Sequence, residues 1–379
     1  MHFFDYNATT PLSSAARQAW LQVGDAHWLN PSSPYRAAAA VKVRLDAVRA
    51  ELGAYLGVEP GRLVFNSGAT EGNNTVLRHW KAVLPEEARI GISPIEHPSV
   101  LEPARQLFGD RIEWLPLGGD GRVCIDGLDL SGLAAVSMMA ANNETGCLQP
   151  WHRMAELCRA QGVPYHCDAS QWIGKLAPRG LADCDFLTGC AHKFCGPRGV
   201  GFLVVPESLK LEGSLLGGAQ QAGLRAGTED LAGAAAMMAA LQDVDRKRPD
   251  CGPEGKSAFW ERLREHLSAT VPVGGLDETL WNTVSLILPE FSSARWIRAL
   301  EKKDFFISAG SACSTGHAGP SHVLAAMELS SSAASRAIRI SSGWETSVDD
   351  WKELAEAILE AYRELSRDDP GSKTRVLSI

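Results

Sequence analysis

Lys193 and Asp168 are the two side chains whose surroundings in the sequence most clearly suggest chemistry. Lys193 lies between an apolar, strand-like run and a glycine-rich stretch, and Asp168 directly follows the preceding apolar run. An amine at a strand end can form a Schiff base, and a buried carboxylate can keep a pyridinium nitrogen protonated. These are the groups that pyridoxal phosphate (PLP) chemistry needs. By burial habit alone, however, a lysine is more often a solvated surface charge.

Further polar residues follow other apolar runs, which matters because ligands of open α/β sheets lie beyond the carboxyl ends of the strands. Ala69 and Thr70 open a helix-like stretch that suits a phosphate, although an ordinary helix N-cap fits them equally well. His97 could stack on a flat cofactor and relay protons, or it could be a structural hydrogen bonder. Asn143 could donate to a phenolate oxygen, or its segment could be a simple turn. Gln171 completes the series.

Arg339 and Cys313 lie in the last third of the chain. Arg339 interrupts an apolar strand, where a guanidinium could bind a carboxylate through two hydrogen bonds or could form a structural ion pair. Cys313 lies in a loop over 307–320 that is rich in Gly, Ser and Ala, which predicts a mobile, exposed thiol. Its thiolate could attack the sulfur of a bound cysteine and leave carrying a persulfide. The other eight cysteines fit inert buried positions.

Composition sets limits on the class of protein. The 379 residues are 45% hydrophobic and 22% charged, which predicts a soluble protein of two domains. The net charge of −8 argues against a nucleic-acid binder. We expect no membrane association and a cytoplasmic location, because no apolar run is long enough to span a bilayer and the N-terminus does not resemble a signal peptide. Nine cysteines without a C-x-x-C pair suit a reducing compartment.

The apolar runs predict how these residues are positioned. Between 62 and 205, seven short runs alternate with helix-like stretches, which predicts a mainly parallel seven-stranded sheet covered by helices. The runs are 62–65, 89–92, 111–115, 134–139, 163–167, 185–188 and 200–205. We therefore predict a large α/β domain over 13–250. The segments 1–12 and 251–379 would form a smaller α+β domain that carries the Cys313 loop.

Taken together, several segments resemble the NifS-like cysteine desulfurases of the class V aminotransferase family. The resemblance covers nearly the whole chain in collinear order, and it rests on the segments 4–11, 30–33, 66–74, 94–99, 141–146, 165–171, 188–201, 225–228, 310–313 and 338–343. It implies the PLP-dependent transferase fold type I. It also implies a homodimer that converts L-cysteine to L-alanine and loads the sulfur on Cys313 for a sulfur-acceptor protein, in iron-sulfur cluster assembly or in thiolation.

The resemblance assigns roles to individual residues. Lys193 would bind PLP covalently, Asp168 would face the pyridine nitrogen, and His97 would stack on the ring and assist proton movements. Asn143 and Gln171 would contact the phenolic oxygen, and Asn30 and Arg339 would hold the substrate carboxylate. The phosphate would be held by Ala69, Thr70, Cys190, His192 and, from the neighbouring subunit, Thr228. Cys190 replaces the family's small hydroxyl residue, and a thiol is a weaker donor, so a lower phosphate affinity is expected.

Two alternatives stay open. A selenocysteine lyase or another class V PLP aminotransferase would share the fold, although Cys313 argues against it. A non-enzymatic metal-binding scaffold could use Cys184, Cys190, His192 and Cys195, although their spacing fits no common zinc pattern. We expect no metal in the enzyme.

Overall fold

A mainly parallel seven-stranded sheet forms the centre of the molecule. The computed structural model describes residues 1–212, 215–309 and 321–368. Each of the seven apolar runs predicted from the sequence becomes a strand of this sheet. The strands are β2 (Leu63–Asn66), β3 (Arg89–Ile92), β4 (Ile112–Trp114), β5 (Leu133–Ser137), β6 (Tyr165–Asp168), β7 (Phe186–Cys190) and β8 (Gly201–Val204).

The strand order is β2-β8-β7-β6-β5-β3-β4, and β8 runs antiparallel to the other six strands. Every residue of β6 and β7 is buried, as expected for strands that helices cover on both faces. The covering helices are α1 (Ser14–Ala26), α2 (Arg36–Leu56), α3 (Ala69–Val83), α4 (Pro98–Phe108), α5 (Trp151–Gln161) and α6 (Leu231–Lys247). The sheet therefore has the α/β architecture that the sequence predicts.

The C-terminal part of the chain forms a second layer of sheet and helices. A short antiparallel sheet has the order β12-β10-β9, and the first strand, β1 (His2–Phe3), pairs in parallel with β11 (Phe305–Phe306). The remaining strands are β9 (Val271–Pro272), β10 (Thr283–Ile287) and β12 (Ala337–Ser341). The helices are α7 (Glu254–His266), α8 (Ser293–Glu301), α9 (His322–Ala326), α10 (Ser331–Ala334) and α11 (Val348–Asp368).

Phe4 belongs to the hydrophobic core of this C-terminal part, where it packs with Phe305 and Trp351. The N-terminal segment then crosses to the large sheet, because the backbone N–H of Thr10 donates to the carbonyl oxygen of His192. The boundaries 13–250 and 1–12 plus 251–379 stay a prediction.

Among the helices that the structure describes, none combines the length and the apolar character needed to span a membrane.

Candidate active site

One cavity of about 880 Å³ collects the polar residues that follow the parallel strands. Its wall contains most of the residues predicted to form a site. These are Ala69, Thr70, His97, Asn143, Asp168, Gln171, Cys190, His192, Lys193 and Arg339. The structure therefore brings together side chains that are as far apart in the sequence as Ala69 and Arg339.

Lys193 is held on the wall by the N-terminal segment. It ends a single 3-10 turn, Ala191–Lys193, directly after β7. Its Nζ donates to the carbonyl oxygens of Asn7 at 2.6 Å and of Ala8 at 2.8 Å. These two contacts fix the amine at the strand end, which is where a nucleophile of this cavity must lie.

Asp168 is the last residue of β6, the strand next to β7. Its Oδ1 accepts a hydrogen bond from the backbone N–H of Ser170 at 2.9 Å, and its Oδ2 accepts one from Nδ2 of Asn73 at 2.7 Å. Asn73 reaches Asp168 because Gly72 lets α3 approach β7 closely: a Cβ at Gly72 would lie 3.0 Å from the Thr188 methyl group.

His97 is the N-cap of α4, and its proton is placed by its neighbour Ser99. Nδ1 of His97 accepts from the Ser99 backbone N–H at 3.1 Å and lies 2.8 Å from Ser99 Oγ. A backbone N–H can only donate, so the neutral imidazole carries its proton on Nε2. Burial lowers the pKa of His97, the nearby Lys193 acts in the same direction, and Asp168 opposes both. His97 is thus a neutral group whose Nε2–H can donate a hydrogen bond.

Gln171 and a buried lysine, Lys175, form a further layer behind Lys193. Nε2 of Gln171 donates to the carbonyl oxygen of Asn7 at 2.9 Å, and its Oε1 accepts from Nζ of Lys175. Lys175 is fully buried and also donates to Oδ1 of Asn7 at 2.6 Å. Burial lowers the pKa of Lys175 well below its ordinary value, with Lys193 and Arg339 adding to the effect.

Arg339 lies on the wall from β12 and is 1% exposed. Its Nη2 pairs with Oδ1 of Asp5 at 2.6 Å, and its Nη1 donates to the carbonyl oxygen of Asn143 at 2.9 Å. An ion pair with Asp5 is therefore present, as one of the two sequence-based interpretations predicts. Because Arg339 also borders the cavity, a carboxylate-binding role stays a prediction.

The N-terminus of α3 borders the cavity and suits an anion. Its N-cap, Gly68, has φ 138° and ψ 178°, a conformation that favours glycine, and it provides no side chain to cap the first turn. No N-cap side chain therefore caps the backbone N–H groups of Ala69 and Thr70, which begin the helix. These N–H groups lie at the positive end of the helix dipole, where an anion binds favourably.

Two further predicted phosphate ligands, Cys190 and His192, line the same cavity. Burial raises the pKa of the Cys190 thiol, which keeps it neutral. For His192, burial has the opposite effect and lowers the pKa to about 4, so its imidazole is neutral at physiological pH. Both side chains can act as neutral hydrogen-bonding groups.

Three predicted residues are not on the wall of this cavity. Asn30 is exposed, and its Oδ1 accepts from the backbone N–H of Ser32 at 2.9 Å. Thr228 is exposed too, on a segment that the ion pair between Arg225 and Glu71 attaches to α3. Cys313 lies outside the described residues.

Sequence reasoning missed several residues that shape the site. Asn7, Asn73 and Ser99 lie in segments that carry the family resemblance, 4–11, 66–74 and 94–99, so a signal for them was available. Lys175 and His322 had none. His322 borders the cavity, and its Nε2 lies 2.8 Å from the carbonyl oxygen of Glu96.

The four residues of the metal-binding alternative are all within the described parts of the chain. No three of Cys184, Cys190, His192 and Cys195 bring their ligand atoms within 4.8 Å of one another. The geometry thus gives that alternative no support.

Comparison with known proteins places the chain in a family. The family model "Aminotransferase class-V" matches residues 2–354. A cysteine desulfurase from Cereibacter sphaeroides is 34% identical over 381 residues, which cover 96% of this chain and 97% of the relative.

Solved structures agree with this assignment. A NifS-like protein matches with a TM-score of 0.87 at 26% identity, covering 96% of this chain and 99% of the other. SspA, solved in complex with cysteine, matches with a TM-score of 0.78 at 25% identity, covering 90% of this chain and 98% of the other. The predicted resemblance to the NifS-like cysteine desulfurases and the predicted fold are confirmed, and the chain belongs to the class-V aminotransferase family.

Proposed function

We propose that this enzyme is a PLP-dependent cysteine desulfurase that converts L-cysteine to L-alanine and transfers the sulfur to Cys313. The observation that carries the proposal is the placement of Lys193 and Asp168 at the ends of adjacent strands, on the wall of one cavity. Arg339 borders the same cavity and offers a cation for a substrate carboxylate. The match to cysteine desulfurases and to a protein solved with cysteine supports L-cysteine as the substrate.

The residues of the cavity fit PLP. The open first turn of α3 at Ala69 and Thr70 suits the phosphate, and the carboxylate of Asp168 suits a protonated pyridine nitrogen. Lys193 offers the amine that binds the cofactor, and Gln171 offers an amide to its phenolic oxygen. When bound, PLP supplies a ring that withdraws electrons from the substrate's reacting carbon.

The side chains would then divide the work as follows. Arg339 binds and orients the carboxylate of L-cysteine through its planar guanidinium. The amine of Lys193 removes the proton from Cα and can return it. His97, neutral and with its proton on Nε2, would donate a hydrogen bond near the departing sulfur.

Cys313 would accept the sulfur. Its thiolate forms a bond with Sγ of the substrate while the bond between Cβ and Sγ breaks, and the electron pair left on the carbon fragment takes up a proton to give alanine. The product on the enzyme is a persulfide, which a second protein would accept. Iron-sulfur cluster assembly and thiolation both use such a donor.

The proposal extends to assembly and location. Thr228 is exposed and away from the cavity of its own chain, which fits a contact with the neighbouring active site of a homodimer. None of the eight cysteines among the described residues forms a disulfide, which fits the cytoplasm.

Lys193→Ala tests the function. The wild type should show the visible absorption of lysine-bound PLP and should release alanine from L-cysteine, and borohydride should trap the cofactor on the peptide that contains Lys193. The variant should lose all three signals. Lys81→Ala, an exposed lysine on α3, is the control and should behave like the wild type. Cofactor trapped on any other lysine would contradict the assignment.

A further inference from the structure

Lys175 is a buried lysine beside the proposed cofactor site that has no role in the proposed reaction. It lies four residues after Gln171 and is 0% exposed. Its Nζ donates to two amide oxygens, Oε1 of Gln171 and Oδ1 of Asn7. A buried lysine loses its hydration, which costs free energy. The two hydrogen bonds offset part of that cost.

The two contacts decide which way both amides face. Nζ of Lys175 donates to both amide oxygens, so each amide turns its oxygen end toward the lysine. For Gln171 this directs Nε2 away from Lys175, toward the carbonyl oxygen of Asn7 at 2.9 Å. The reversed amide would remove the oxygen that accepts from Lys175 and would set Oε1 against the carbonyl oxygen of Asn7, which is repulsive. One hydrogen of Nε2 remains for a partner in the cavity that Gln171 lines.

The same logic applies to Asn7. With its Oδ1 on Lys175, its Nδ2 donates to Oγ1 of Thr283 at 2.9 Å and to the carbonyl oxygen of Asn143 at 3.2 Å. The backbone oxygen of Asn7 in turn accepts from both Lys193 and Gln171. Lys175 therefore supports the segment that holds the catalytic amine.

We propose that Lys175 is a positioning residue that locks the amide of Gln171, so that Gln171 presents an N–H donor, and not an oxygen, to an anionic oxygen of the ligand. The inference rests on the proposed function, in which that ligand group is the phenolic oxygen of PLP. Lys175 itself touches neither cofactor nor substrate.

Lys175→Met tests the role, because methionine keeps an unbranched, buried side chain and removes the donors. Lys256→Met is a matched control: Lys256 is also buried, and it donates to Oγ1 of Thr279 at 2.7 Å and to the carbonyl oxygen of Leu280 at 3.0 Å, but it is not on the cavity wall. Both variants should lower the melting temperature of the holoenzyme. Only Lys175→Met should raise the Kd for PLP, by about tenfold, which is the loss of one oriented hydrogen bond.

A double-mutant cycle separates positioning from a general structural effect. If Lys175 acts through Gln171, then Lys175→Met should change the Kd for PLP by less than about twofold in a Gln171→Ala background. The pH midpoint of the visible absorbance of bound PLP should move in Lys175→Met and stay in place in Lys256→Met. The proposal would be overturned if the fold-change in Kd of the double variant equalled the product of the fold-changes of the two single variants. An unchanged Kd for PLP in Lys175→Met would overturn it as well.

Lys175→Arg covers the case in which the methionine variant does not fold. Arginine keeps the charge and the donors, so the Kd for PLP should stay within about threefold of the wild type, and a larger loss in a folded Lys175→Arg protein would overturn the role. A wild type that binds no PLP would instead reject the proposed function, which distinguishes the two failures.

Discussion

Nδ2 of Asn73 lies 2.7 Å from Oδ2 of Asp168 and 2.9 Å from Oγ of Ser99. One amide group thus donates both to the carboxylate proposed to face the pyridine nitrogen and to the hydroxyl that contacts Nδ1 of His97. Asp168 and His97 are therefore connected through one side chain, which contacts Asp168 directly and His97 through Ser99.

Asn73→Ala should destabilise the protein and weaken the cofactor site together. Loss of the amide leaves buried Oδ2 of Asp168 without a side-chain donor, which should lower the free energy of unfolding by about 1 to 3 kcal/mol. Urea unfolding and PLP titration measure the two effects. Asn74→Ala, which removes contacts to the carbonyl oxygens of Thr70 and Ser99 but none to Asp168, should leave PLP affinity near the wild-type value. Equal losses of affinity in both variants would contradict the connection.

Arg339→Ala should lower kcat/KM for L-cysteine by a factor that corresponds to roughly 2 to 4 kcal/mol, since a charged, two-point contact with the carboxylate is lost. Arg339→Lys keeps the charge without the planar geometry and should recover only part of the loss. Arg336→Ala lies on the same segment, away from the cavity wall, and serves as the control. A kcat/KM equal to that of the wild type in Arg339→Ala would reject the carboxylate-binding role and leave Arg339 only its structural ion pair with Asp5.

Cys313→Ser should still bind PLP and L-cysteine but should release no alanine. A hydroxyl is a poor nucleophile toward sulfur, whereas a thiol of pKa about 8.5 is already a few per cent ionised at neutral pH. Mass spectrometry of the wild type after L-cysteine should show added sulfur on the Cys313 peptide. The exposed Cys124 provides the control variant, Cys124→Ser, which should remain active. Sulfur on Cys190 or Cys195 instead would reject the proposed acceptor.

Acid should destabilise the fold through His166. This buried imidazole contacts Oγ of Ser137 and Oγ1 of Thr188, and burial lowers its pKa to about 4. The unfolded chain, with an ordinary histidine pKa near 6.5, therefore binds a proton that the folded protein does not bind as pH falls from about 6.5 to 4.

His166 alone should lower the free energy of unfolding by about 2 kcal/mol between pH 7.5 and 4.5. Urea unfolding at several pH values measures this slope. His166→Asn should show a shallower dependence, and His27→Asn, at a partly buried position, serves as the control. An identical slope in His166→Asn would exclude His166 as its source.

A shared active site predicts complementation between two inactive chains. Lys193→Ala and Thr228→Ala, when co-expressed, should form mixed dimers in which one site has both residues intact and is active. Each variant alone should be less active than the mixture, and light scattering should show a dimer in both. Without recovery of activity in the mixture, Thr228 does not serve the neighbouring site.

The strands could be predicted from the sequence because each is a short, buried, apolar run bounded by polar residues, as in β3, where prediction and structure coincide at Arg89–Ile92. Residues that directly follow the strands could be predicted for the same reason. The role of Lys175 could not, because a lysine after a glycine is ordinarily a surface charge and only the contacts with Asn7 show otherwise. The orientation of His97 likewise depends on Ser99, whose contacts with Nδ1 of His97 only the structure shows.

The contacts of Asn7 also determine when the site can form during synthesis. Asn7 is 168 residues from Lys175 and 276 residues from Thr283 along the chain. A nascent chain that exposes Asn7 first must wait until most of the protein has left the ribosome before that residue meets its partners, and such long-range closure is slow. A chain that terminates before β10 would therefore lack the Thr283 contact that helps hold Asn7 on the cavity wall. This would happen even though every residue of the large sheet had been made.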